Sequence, residues 1–267
     1  MIPERDVASS RRTLARAGFI LGVALGGFFD GILLHQVLQW HHLLSLVEGE
    51  ALRDIRNQIL ADGAFHVAMY GVAAAGLWLL WRGRAGFAGS GSDLRLLGSA
   101  VLGFSVWQFA DVVLFHWILG IHRIRVDVSN PLVWDIGWMM VFGVPALILA
   151  LWLIRRAGQG GPPGTTRRPA AVAMVLGLAV LVAGPLAALP PAGVTTTMVL
   201  FRPGTGAAAA FAAVAAIDGR ILWADPSGDL LAIEAGPAGE AWRLYGHGAL
   251  LVSSSSLVAG CLAWSRV

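Results

Sequence analysis

The chain has 267 residues, 57% hydrophobic and 13% charged, with a mean hydropathy of +0.70. A soluble globular chain carries about 25% charged residues, so this balance excludes an ordinary soluble enzyme, a disordered chain and a disulfide-rich secreted domain. All 19 basic residues are arginine, the formal net charge is +3, and the single cysteine, Cys261, can form neither an internal disulfide nor a CxxC knuckle.

Five apolar runs reach the ~20 residues that a helix needs to cross a bilayer. They are expected at 18–42, 59–81, 97–120, 131–154 and 169–189. The first four form one unit, residues 1–157. A Gly/Pro-rich linker at 158–168 leads to the fifth span, 169–190, and the remainder, 191–267, reads as a separate domain. The arginines lie in clusters between the runs, as topology signals do, and not along a stripe that would track nucleic acid. Arg5, Arg11, Arg12, Arg16, Arg82, Arg84, Arg95, Arg155, Arg156, Arg167 and Arg168 fall on one side, against Arg53, Arg56, Arg123 and Arg125 on the other. The positive-inside rule puts the N-terminus in the cytoplasm of a bacterial inner membrane and the C-terminal domain outside. No small-residue cleavage site follows the first span, which reads as an uncleaved anchor.

The tail is expected to be a small α+β domain. Strands are predicted at 194–202, 220–224, 229–234 and 256–264, with Asp225-Pro226-Ser227-Gly228 turning between the second and third. Helices are predicted at 206–217 and 240–251. The order βαββαβ is that of the ferredoxin-like split motif. A sixth span over 248–264 is the alternative; four consecutive serines oppose it.

The first and third spans share a pattern. Asp30, His35 and His41 recur as Asp111, His116 and His122, D-x4-H-x5-H at an offset of 81; Asp62 and Asp135 relate the second and fourth spans at an offset of 73. The four spans thus read as two copies of a helical hairpin, a pseudo-repeated four-helix bundle related by an axis along the membrane normal. Gly18, Gly22 and Gly26 at spacing four suit close helix packing.

An ionisable residue inside a span costs about 2.5–3.5 kcal/mol, and these spans contain no arginine to neutralise Asp30, Asp62, Asp111 and Asp135. At a rise of ~1.5 Å per residue, His35, His66 and His116 come to one depth, ~10 Å inside the same face, with Asp30 and Asp111 ~7 Å deeper. Imidazole suits copper, zinc and iron, and a thioether favours Cu(I). The expected ligands are therefore His35, His66, His116 and Met139, with copper favoured. Asp30, Asp62, Asp111, Asp135, Gln39, His41, His42 and His122 are expected around them, fixing tautomers. On a helical wheel His35, Gln39 and His42 share one face and Asp30 and His41 another, while His41, His42 and His122 are expected at the water interface. Two alternatives stay open. One is haem held by two of the histidines, without covalent attachment because no CxxCH is present. The other is a hydrogen-bonded layer that only specifies helix packing. No nucleophile triad or Walker loop marks an enzyme, and no catalytic residue is assigned.

The run Gly26 to His42, GGFFDGILLHQVLQWHH, resembles a bacterial family of predicted multi-span membrane proteins of unknown function, over roughly residues 15–156. The resemblance implies a membrane protein and no established activity. It also implies a genetic association with copper-delivering assembly factors of cytochrome oxidase; the fifth span and the tail depart from the family pattern, and the tail is expected on its own account to dock a partner such as an oxidase or a copper-delivery protein.

Overall fold

The structure is a computed structural model describing residues 4–38, 40–49, 52, 55–159, 170–188, 196–234 and 240–253. It divides into two compact units, residues 1–53 with 58–184, and residues 185–267 with 54–57.

In the first unit four helices are long and apolar enough to cross a membrane, Ser9–His35, Leu60–Arg82, Ser92–Ile118 and Pro131–Gly158. The expected fifth span is a helix over Ala170–Ala188, but its apolar stretch, Ala171–Ala183, is shorter than the other four. It contributes Leu176 and Val180 to the bundle core. The first and third spans pack most closely, because each offers glycine to the other. A Cβ on Gly22 would collide with the Ala100 carbonyl, and one on Gly103 with the Phe19 carbonyl. Both pairs are related by the same offset of 81, so the contact is reciprocal. Gly18 and Gly26 face Leu96 and Trp107 in the same groove, as small residues in membrane helices do.

The two spans also end alike. The α-helix Glu4–Asp30 continues as a π-helical turn over Gly31–Val37, and Ser92–Ala110 as one over Asp111–Ile118. After the turns, Leu38 N–H donates to Leu33 O and Trp40 N–H to Leu34 O, at 2.8 and 3.0 Å; Leu119 and Ile121 donate to Leu114 and Phe115 at the same distances. These bonds fold the chain back over the end of each helix. The first span thus ends before His41 and His42, which a single helix over 18–42 had placed on its faces. The fourth span carries a third π segment, Met139–Gly143, where Ser105 Oγ–H donates to Gly143 O at 2.9 Å. A side chain that supplies the missing partner lets the helix depart from regular winding.

The second unit is a four-stranded antiparallel sheet, β1 (Thr196–Phe201), β2 (Arg220–Ala224), β3 (Leu230–Glu234) and β4 (Ala249–Ser253), in the order β2-β3-β1-β4. The helix Ala207–Ala215 packs Ala210, Ala213 and Val214 against Val199, Phe201, Leu231 and Ile233. The expected second helix is only a 3-10 turn, Ala241–His247. Gly248, at φ +93°, then turns the chain directly into β4, which occupies part of the segment expected to be helical. The expected strand at 256–264 and Cys261 lie outside the described residues. Because 249–253 is a strand, it is not part of a sixth helix.

Candidate metal centre

The two π turns and the fold-backs bring polar side chains from all four spans to one end of the bundle. Asp30, His35, His41, Asp111, His116, His122 and Asp135 are each at most 2% exposed. His41 and His122, expected at the water interface, are therefore interior. They reach the interior because the chain folds back, and each ring is anchored by the other copy's loop. His41 Nδ1–H donates to Ile124 O at 3.0 Å, and His122 Nδ1–H donates to Leu43 O at 3.1 Å. Positions 41 and 122, like 43 and 124, differ by 81, so the two bonds exchange under the repeat.

The carboxylates follow the same symmetry. Asp62 takes His42 Nδ1–H at 2.7 Å and Leu43 N–H at 2.8 Å, and its Oδ1 stands 3.1 Å from His35 Nδ1. Asp135 takes His116 Nδ1–H at 2.9 Å, Ile124 N–H at 3.2 Å and Trp117 Nε1–H at 3.0 Å. Arg123, the repeat partner of His42, donates to Asp135 at 2.7 Å. A loop arginine thus partly neutralises a layer whose spans supply none.

The four imidazoles pack by the same rule. His35–His41 and His116–His122 both have ring centroids 4.6 Å apart; His35–His122 and His41–His116 are at 6.1 and 6.2 Å; His41 and His122 stack at 4.6 Å and 13°. The Nδ1–H groups of His41, His116 and His122 each donate to an oxygen, while His35 Nδ1, 3.1 Å from Asp62 Oδ1, is off the line of a hydrogen bond. Nε2 remains for the interior, where Asp30 Oδ1, His35 Nε2 and His41 Nε2 have no hydrogen-bond partner. His122 Nε2 lies 3.3 Å from Asp111 Oδ1. His116 Nε2 lies 3.1 Å from Asp111 Oδ2, off the line of a hydrogen bond. Burial, then His35 and His122, hold the His41 imidazole well below its ordinary pKa, in the neutral form that ligates.

Two groups among the described residues place ligand atoms within 4.8 Å of one another, His35–His41–His122 and Asp111–His116–His122. Of the expected set, His35 and His116 are in these groups. His66 is not: its Nδ1–H donates to its own helix at Asp62 O, 2.7 Å, and its Nε2 lies against Gly31. Met139 packs among Leu34, Val112, Ile124 and Trp138. Gln39 lies outside the described residues. The signal that pointed to His41 and His122 was the D-x4-H-x5-H repeat itself, which contains both.

Neither the curated proteins nor the solved structures yield a match to the chain. A family model matches residues 17–157, a range that takes in Asp30 through Asp135 and all the groups described above; the chain belongs to the family of predicted membrane proteins DUF2243.

Proposed function

We propose that the protein binds a divalent transition-metal ion in this layer, with the Nε2 atoms of His35, His41 and His122 as ligands. The observation that carries the reading is the outward anchoring of the rings together with the unpartnered inner atoms. Metal-ligating histidines characteristically give their other nitrogen to a carboxylate or backbone carbonyl. A layer that only specified packing would pair its buried polar atoms, since each unsatisfied one costs about 1–3 kcal/mol. Asp30 Oδ1, His35 Nε2 and His41 Nε2 are buried without a hydrogen-bond partner, as are His35 Nδ1, Asp111 Oδ2 and His116 Nε2 in the same layer.

The donor set is nitrogen and oxygen. It suits Cu(II), Zn(II) or Fe(II) better than Cu(I), which a thioether from Met139 would have favoured. Three histidines with ligand nitrogens within 4.8 Å of one another support an ion rather than haem, whose bis-histidine ligation by His35 with His116, or His66 with either, would need two rings on opposite sides of a macrocycle. Arginine placement supports a cytoplasmic N-terminus in a bacterial inner membrane, and a fifth crossing by Ala170–Ala188 would put the tail outside. The antiparallel order β2-β3-β1-β4 supports a ferredoxin-like tail. In this reading the tail docks a partner, an oxidase or a copper-delivery protein.

Metal content of the protein purified in mild detergent tests the assignment. His41→Ala and His122→Ala should each weaken metal affinity at least about tenfold, the scale on which lesser, outer-sphere changes already act. His66→Ala and Met139→Leu should leave it unchanged. The reverse pattern overturns the ligand set, and metal-free protein before and after reconstitution overturns the function.

A further inference from the structure

The end of the bundle opposite the polar layer carries arginines that the metal reading does not use. The second span ends at Arg82 and the fourth at Gly158, and a short 3-10 turn, Arg84–Ala88, follows the second. A Cβ on Gly86 would meet Ser10 O, one on Gly89 the Arg11 guanidinium and one on Gly91 Ala157 O. The loop is therefore wedged between the N-terminal helix and the last turn of the fourth span, and Arg82, Arg84, Arg155 and Arg156 share one end of the bundle. All four are exposed.

Three of them stand over tryptophan. The guanidinium carbon of Arg82 is 5.0 Å from the Trp78 ring centroid, that of Arg84 4.7 Å from Trp81 and that of Arg156 5.2 Å from Trp152, inside the ~6 Å of a cation–π contact. The three indoles are each more than half exposed. They lie in the last two turns of their spans, where tryptophan sits at headgroup level. The rings hold the charges at that depth but supply no hydrogen-bond acceptor. Among the described residues no carboxylate pairs with any of the four arginines, and the one hydrogen bond their side chains make is Arg84 Nη1–H to Trp81 O at 2.9 Å. The other end of the bundle differs: Arg123 pairs with Asp135 and Arg125 with Asp127. A guanidinium carries five N–H donors in a planar fork that matches phosphate, so nearly all the donors at this end are open to an outside acceptor.

We infer that this end is a docking surface for anionic phospholipid headgroups, whose phosphates accept from Arg82, Arg84, Arg155 and Arg156 while the three tryptophans fix the depth. Charge and depth together select the occupant. Cations without carboxylate partners, set beside exposed indoles at the rim of apolar helices, meet the headgroup plane of the bilayer, and anionic lipid is the component of complementary charge.

Lipid binding by the full chain tests the proposal. The protein in mild detergent is titrated with phosphatidylglycerol and, separately, with phosphatidylcholine of the same acyl chains, and bound lipid is counted by native mass spectrometry. Phosphatidylglycerol should bind in preference. Arg84→Gln and Arg156→Gln should each weaken its binding about fivefold, the worth of one arginine near an anionic surface. Arg125→Gln, at the other end, should leave it unchanged. Equal binding of the two lipids by the unaltered chain overturns the proposal without recourse to any variant. Phosphatidylglycerol binding that is unchanged in both Arg84→Gln and Arg156→Gln places the lipid elsewhere and also overturns it. Displacement of the lipid by inorganic phosphate, but not by chloride at matched ionic strength, would make this a site for free phosphate and overturn the lipid assignment.

Discussion

Asp62 and Asp135 occupy equivalent places but serve different partners, and the difference makes them separable by mutation. Asp62 orients His35 and His42 and holds the fold-back at Leu43. Asp62→Asn should therefore weaken metal binding about 10–100-fold, as loss of an outer-sphere partner does, when apo-protein is titrated with Zn(II). Asp135 is fully buried and accepts from His116, Trp117, Arg123 and Ile124. Removing one partner of a buried charged pair costs about 3–5 kcal/mol, so Asp135→Asn should lower unfolding stability in detergent by that order, even in metal-free protein. Asp127→Asn breaks the exposed pair with Arg125 and should leave the unfolding midpoint unchanged. Exposed pairs are worth little because water and salt screen them.

At the level of the helices, the contact between the first and third spans rests on Gly22 and Gly103. Gly22→Leu or Gly103→Leu would drive a side chain into a backbone carbonyl of the partner helix, and should cost more than the ~1–3 kcal/mol of ordinary overpacking. A Cβ on Gly71, in the second span, would meet nothing within 4 Å; Gly71→Ala should be neutral or raise the thermal midpoint through helix propensity. Glycine spacing made close packing of the first span legible in the sequence, though not that the third span would be its partner. The ends of the same helices were not legible. A regular wheel of ~100° per residue assumes α-helix throughout, and both polar motifs begin where winding changes to π. Past Asp30 and Asp111 the wheel assigns faces that the chain does not have, and His41 and His122 come inside through backbone bonds at Trp40 and Ile121 that no hydropathy pattern reports.

Across the whole molecule, the four spans, the repeat and the βαββ start of the tail were legible because burial in lipid or in a sheet imposes a period on the sequence. The grouping of the buried side chains was only partly legible. Depth along four rods brought out His35 and His116, but the rods end before the other two rings, and the counterparts chosen on depth, His66 and Met139, pack elsewhere. The proposed five-span topology predicts that a reporter fused after residue 267 is active outside the cytoplasm and one fused at Gln159 is active within it. Four crossings would give cytoplasmic activity at both. The most direct check of the central claim is X-ray absorption at the metal edge of the purified, loaded protein. The account predicts a shell of nitrogen and oxygen only, at ~2.0–2.2 Å, with the outer scattering of imidazole rings. A sulfur scatterer near ~2.3 Å, or a shell without imidazole, would contradict it.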